Sequence, residues 1–301
     1  MMRTSARSCI ALVALLAGIS SAHASDRRID QTLTADPHGV VEVSNISGVV
    51  DISGWDQPEV AIRAEIPSGV DNVEVKSERG HISITVRFPS FSFGSKGVDL
   101  SIRVPRTSEV DVTTVSADIN SHGVTGQQRL KAVSGSIRAE IAQSDVEVKS
   151  VSGDVSLRGE GRPLGLHVGT ISGTIRVDHA AGDVEASTTS GDINMALDSG
   201  RSIRMHTVSG DVSFRGRLTK DADVDTQTIS GEVKMRADSE SGYEYDVTTF
   251  NGEIGNCFNA KAEKTSRYGP GERLSGSRGD GNGGHVRIKT MSGDVNLCDK
   301  P

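Results

Sequence analysis

The strongest restriction on how this chain folds is a five-residue phrase, apolar, Ser, Gly, acidic, apolar, that returns at near-constant spacing, as in Val151-Ser152-Gly153-Asp154-Val155. Its central residue falls at Ala117, Gly135, Gly153, Gly173, Gly191, Gly210, Gly231, Gly252 and Gly293, so the intervals are 18, 18, 20, 18, 19, 21, 21 and 41. The last interval equals two turns, or one turn with an insertion. Two residues after the centre stand Ile119, Ile137, Val155, Ile175, Ile193, Val212, Val233, Ile254 and Val295, all β-branched. Seven and five residues before it come pairs such as Val110 and Val112, Val146 and Val148, Leu166 and Val168, or Val286 and Ile288. These pairs alternate with polar residues, the period-2 pattern of a strand with one buried face. Each repeat therefore predicts two short strands joined at a Ser-Gly corner, where glycine permits a positive φ.

A unit this small cannot bury its apolar face alone, but units stacked in register can. The expected fold is all-β: a β-solenoid, parallel β-helix-like, with two-strand coils of 18–21 residues. Ser precedes the central glycine in every repeat except at Asn251, so stacking should align these side chains along one edge. The frame extends to Gly48, with Val41, Val43, Ile46, Val50 and Ile52 at matching offsets, and to Gly80, with Val73, Val75, Ile82 and Ile84. Pro58, Pro67, Pro89 and Pro105 interrupt this region. Residues 25–108 are accordingly read as an irregular β-rich N-terminal cap and 109–301 as the repeat region, with an inserted loop at 259–284. A cap is needed because an open end presents unpaired backbone groups.

Residues 1–24 carry the marks of a secretory signal peptide: Arg3 and Arg7, an apolar run from Ile10 to Ile19, and Ala22-His23-Ala24 as a cleavage site. Removal of the two arginines takes the net charge from −7 to −9, which disfavours nucleic acid as a partner. No segment approaches the roughly 20 apolar residues of a spanning helix. The expectation is an exported protein, periplasmic or extracellular, with no transmembrane segment.

Cys257 and Cys298 each lie five residues after a central glycine. If their coils are neighbours, their Cα atoms stand about one strand spacing apart, within the span a disulfide requires, and an oxidising compartment would close the bond. Asp154, Asp192, Asp211, Glu232, Glu253 and Asp294, with Asp118, directly follow the central residue. Stacked, they form an acidic edge that must be solvated, paired or metal-bound. A solvated, partly paired edge is the favoured reading, and these residues are weak calcium candidates. Arg138, Arg176 and Lys234, with Arg158, Arg215 and Arg236, should point outward nearby. Arg278-Gly279-Asp280 lies in the Gly-rich insertion and reads as part of a polar loop. Phe88, Phe91 and Phe93 are expected to cover the first coils.

No His-Glu-x-x-His, phosphate loop or Gly-x-Ser-x-Gly occurs, and the histidines are scattered. No catalytic residue and no cofactor are expected. The phrases Val41 to Gly48 followed by Ser53-Gly54-Trp55-Asp56, the run of Val-Ser-Gly-Asp-Val repeats and the ending Gly283 to Val295 resemble the bacterial "putative adhesin" β-strand-repeat family. That resemblance implies an exported or envelope-associated β-helix-like protein with no catalytic residues to carry over. The functional expectation is a non-enzymatic scaffold or adhesin-like binding protein of the cell envelope, its partner an envelope protein or a glycan. The alternative is a polysaccharide lyase or hydrolase on a parallel β-helix, for which only Trp55, Tyr243, Tyr245 and Tyr268 offer aromatic platforms.

Overall fold

The computed structural model describes residues 27–67, 70–88, 97–142, 144–239, 242–267, 269–279 and 284–298. The predicted signal peptide lies outside them, as do Phe91, Phe93, Tyr268 and Asp280. Among the described residues the chain is all-β, and no helix is long and apolar enough to cross a membrane.

Each repeat forms one rung, named here by its corner residue, with positions counted from that residue. The strand before the corner pairs parallel with the same strand of the neighbouring rung, and so does the strand after it. In the Gly153 rung, Val146–Ser152 pairs with Gln128–Ser134 on one side and with Pro163–Ser172 on the other, Val148 facing Leu130 and Val168. Beyond the corner, Val155 faces Ile137 and Ile175. Like positions are thus physical neighbours, as the intervals predict. The residues at −7, −5 and +2 are almost entirely buried, and position +4 completes the interior with Leu157, Val177, Met195, Phe214 and Met235. Burying each Val, Leu, Ile, Phe or Met side chain of this interior contributes about 1.5–3 kcal/mol. A few inward positions are polar, among them Thr226 at −5 of the Gly231 rung and Ser121 at +4 of the Ala117 rung. Gln128, at −7 of the Gly135 rung, receives a hydrogen bond from the Ser121 hydroxyl at 2.7 Å and donates to the Glu140 carbonyl at 3.0 Å.

The corner residues touch rung to rung. The Gly153 amide donates to the Ser172 carbonyl at 3.1 Å and the Val155 amide to the Thr174 carbonyl at 2.9 Å. Gly173 has φ +138°, and a Cβ there would lie 2.4 Å from the Gly153 carbonyl oxygen. Conformation and closeness both demand glycine at that point. The corner serines stand in register, but they are exposed, and it is their carbonyls that bond across the corner. The hydrogen-bonding column expected of their side chains does not form; the buried hydroxyls lie at −3, in Thr114, Ser150, Thr170, Thr188, Thr207, Thr228, Thr249 and Thr290, and those of Ser150, Thr188, Thr228 and Thr290 find no hydrogen-bond partner among the described residues. Thr114 Oγ1 donates to the Ala117 carbonyl and Thr249 Oγ1 to the Gly293 carbonyl, each at 3.1 Å.

Rungs do not stack in chain order at either end. At the C-terminal end, Gly284–Ser292 pairs with Ala222–Ser230 on one side and Glu244–Asn251 on the other. Val295–Leu297 likewise lies between Val233–Met235 and Ile254–Asn256. The Gly293 rung is therefore inserted between the Gly231 and Gly252 rungs. At the other end, Val40–Trp55 sits between the Glu109–His122 rung and an outermost rung made of His81–Arg87 and Val98–Pro105.

The outermost rungs are covered by antiparallel strands. Asn72–Glu78 pairs with His81–Arg87, Glu59–Ile66 with Val98–Pro105, and Arg27–Thr34 with Glu59–Ile66. Gly80 is consequently a hairpin tip and not a corner, which places Val73 and Val75 on an antiparallel strand. At the far end, Glu272–Arg278 from the predicted loop pairs antiparallel with Tyr243–Thr249. That part of the insertion covers the end of the stack.

Candidate functional faces

The acidic residues after the corner have a structural task. Asp154 accepts the Thr174 amide at 2.8 Å, Asp192 that of Asp211 at 2.9 Å, Asp211 that of Glu232 at 2.8 Å, and Asp118 that of Ser136 at 2.7 Å. Each carboxylate thus satisfies an amide that the bend leaves out of the ladder. Asp294 accepts the Glu253 amide at 2.9 Å and Asp99 that of Val49 at 3.0 Å, so the direction of these bonds follows spatial order even where chain order departs from it. Glu232 accepts from Asn296 at 2.7 Å and pairs with Lys234 at 2.8 Å, while Glu253 is exposed on the outermost rung. Of the calcium candidates, four spend an oxygen on a neighbouring amide. Among the described residues no group of three or more His, Cys, Asp or Glu side chains is gathered as a metal site.

Cys257 and Cys298 are bonded to each other, with Cα atoms 5.9 Å apart. They join the outermost Gly252 rung to the inserted Gly293 rung. Arg278 donates to the Ala237 carbonyl at 3.1 Å and lies over the Tyr243 ring, 6.0 Å from its centroid. The arginine of the Arg-Gly-Asp tripeptide is therefore committed to the end cover. Phe88 packs, partly buried, against the core.

Two outer surfaces stand out. The first lies on the strands after the corner, where an open depression of about 250 Å³ is lined by Arg176, Arg215, Lys234 and Arg236, with Asp178 the one acid on its rim. Ala196 and Asn194, on the Gly191 rung between Arg176 and Arg215, form a low floor. A neighbouring hollow shares Arg176 and adds Arg138. The outward direction expected for these residues holds. Four cations around one hollow oppose the chain's net charge of −7.

The second surface escaped the sequence reading. Position −2, the first apolar residue of the phrase, faces out. Ile46, Val115, Val133, Val151, Ile171, Val208, Ile229, Met291 and Phe250 occupy it, and they are the large apolar side chains most exposed among the described residues, at 43–65%. Stacking sets them in a single row, broken at Thr189. The signal was present in the phrase itself, but period-2 reasoning does not say on which side of a corner its apolar residue falls.

Hydrogen bonds from Lys76 and Arg87 hold the Glu74 carboxyl below its usual range, a hydrogen bond from Lys149 does so for Glu147, and one from Lys264, with the Ile254 amide, does so for Glu272. Burial raises the Tyr245 phenol.

Stacked two-strand rungs with Ser-Gly-acid corners define an all-β repeat protein. Residues 25–185 and 165–298 each match the Toastrack DUF4097 family, and the chain belongs to it. Among solved structures, the chain is similar to a "putative adhesin" from Bacteroides fragilis, at 11% identity and a TM-score of 0.46 over 91% of this chain and 98% of that one. It is also similar to a "putative cell adhesion protein" from Clostridium sporogenes, at 8% identity and 0.24 over 91% and 100%. A "putative lipid binding protein" from Parabacteroides distasonis shares 11% identity at 0.37 over 90% and 97%. No curated protein matches the chain significantly.

Proposed function

We propose that the protein is an exported, non-catalytic β-solenoid scaffold of the cell envelope that binds an anionic glycan on the strands after its corners. The observation that carries this reading is the cationic depression formed by Arg176, Arg215, Lys234 and Arg236 across stacked rungs. Guanidinium groups held at fixed spacing by a rigid sheet suit carboxylate, sulfate or phosphate groups repeated along a polymer. Parallel pairing of like positions supports the solenoid reading, and the Cys257–Cys298 bond supports an oxidising compartment.

The test is binding of the mature protein to arrays of neutral, uronic-acid, sulfated and phosphorylated glycans, with a salt titration and a product assay on each ligand. Retention on anionic glycans that weakens with salt and is lost in Arg176→Ala/Arg215→Ala, with no bond cleavage, is the expected result. Binding that survives this variant would refute the site, and release of shortened oligosaccharide would favour the lyase or hydrolase reading. Fractionation of the producing cell tests export.

A further inference from the structure

From the row at position −2 we infer that this protein self-associates, two copies packing row against row with a two-fold axis parallel to the stack. The inference is independent of the anion-binding reading, which uses a different face.

The row violates ordinary hydropathy twice over. Within one strand the polar residue at −3 is buried and the apolar residue at −2 is exposed, as in Thr207 and Val208, Thr228 and Ile229, or Thr249 and Phe250. The repeat keeps an apolar residue outside in nine rungs, and the corner alongside it is Ser-Gly in seven of them, the exceptions being Ser116-Ala117 and Asn251-Gly252. Scattered exposed apolar residues need no explanation, but contiguous patches beyond about 300–600 Å² mark contact surfaces. At a rung spacing of about 4.8 Å this row runs for roughly 40 Å. Complete covering would remove on the order of 800 Å² per chain from water, the share each partner contributes to a standard-size interface.

Charge identifies the occupant and its orientation. On one flank, at +1, run Asp118, Asp154, Asp192, Asp211, Glu232, Asp294 and Glu253. On the other, the outward position −4 carries Lys131, Lys149, His206 and Lys289 and no acid. Lys149 also pairs with Glu147 of its own rung, and its side chain remains 65% exposed. A two-fold axis parallel to the stack lays each rung on its own copy and exchanges the flanks, so that Asp154 of one chain is level with Lys149 of the other, Asp211 with His206 and Asp294 with Lys289. A two-fold axis across the stack would set the acidic flanks against each other. A second copy also matches the pitch of the row at every rung, since it is built on the same repeat.

The experiment is sedimentation of the mature chain at micromolar concentrations, alone, as Val133→Lys/Val151→Lys, and as Met291→Cys with a short bis-maleimide. The wild type is expected to sediment as a dimer, and the double-lysine variant as a monomer of unchanged melting temperature, its dissociation constant raised on the order of 100-fold. Met291→Cys is expected to cross-link to itself, because the parallel arrangement brings equivalent ends together. If the lysine variant does not fold, the cross-link decides. A monomeric wild type overturns the inference, including one that floats with phosphatidylcholine vesicles and so gives the row a lipid occupant. So does a dimer indifferent to the lysines, or one in which Met291→Cys links only to Ile46→Cys of another chain.

Discussion

The amide of Gly231 donates a hydrogen bond to the carbonyl of Ser292, at 3.1 Å, although the repeat that follows Gly231 in the chain is centred on Gly252. The Gly293 amide in turn donates to the Asn251 carbonyl at 3.0 Å. The final repeat thus fills a position that the chain has already passed. The mirror arrangement holds Val40–Trp55 one rung in from the other end. At the N-terminal end both strands of the outermost rung are continued by antiparallel strands. At the C-terminal end the strand before the corner is, while the short Ile254–Asn256 strand has its Ile254 amide taken by the Glu272 carboxylate instead, so little bare parallel edge is left as a template for other chains.

Gly173 offers the cleanest test of corner packing. A methyl group there would meet the Gly153 carbonyl, and φ +138° is strained for any L-residue. Gly173→Ala is expected to lower stability by about 2 kcal/mol or more, measured by urea unfolding. Ala117 fills the same position in its rung, buried and outside the positive-φ set, so Ala117→Gly should cost less.

Asp211 separates a structural carboxylate from a calcium ligand. Its Oδ1 accepts the Glu232 amide, so Asp211→Ala should cost about 1–3 kcal/mol. Asp211→Asn, which keeps an acceptor oxygen, should recover most of it. The melting temperature of the wild type should be the same with calcium as with chelator, whereas a rise on adding calcium would give the acidic edge back to the metal.

The Cys257–Cys298 bond closes a loop whose ends are 41 residues apart. Its reduction should cost up to about 4 kcal/mol in the chain-entropy account, with the loss of amide protection concentrated in residues 243–256 and 284–297. Non-reducing peptide mapping should recover the two cysteines in one linked peptide, and two alkylatable thiols would contradict the bond.

Glu272 ties the end cover to the last rung: its carboxylate accepts from Lys264 at 2.8 Å and from the Ile254 amide at 3.0 Å. Its proton affinity is lowered in the fold, first by Lys264 and then by that amide. The stabilisation is therefore full above the ordinary carboxylate range and is lost as pH falls through the lowered value. Glu272→Gln should destabilise the protein by about 1 kcal/mol at neutral pH, and the two proteins should converge in acid.

The sequence made the rung legible because burial is written into it directly: Ile119, Val155 and Val233 are apolar since position +2 is inside, whatever their neighbours. Spatial order at the ends was not legible. Parallel rungs share one register, so Ser230 can pair with Ser292 as readily as with Asn251, and only loop lengths and end covers choose between them. The 41-residue interval was its one trace. Gly80 misled because a hairpin tip and a corner both demand positive φ with alternating apolar residues on either side. The outward row was hidden because Val151 outside and Val155 inside carry the same letter, and the bend between them reverses the alternation.

The central claim is that like positions are neighbours and that the Gly293 rung lies between the Gly231 and Gly252 rungs. Gln227 faces Lys289, and Lys289 faces Thr248, on the outer surface. Introduced cysteines at 227 and 289 should therefore form a disulfide under mild oxidation, identified by peptide mapping, while cysteines at 227 and 248, two rungs apart, should not. Ready closure of the 227–248 pair together with failure of 227–289 would mean that the rungs stack in chain order, and the arrangement described for the C-terminal end would be wrong.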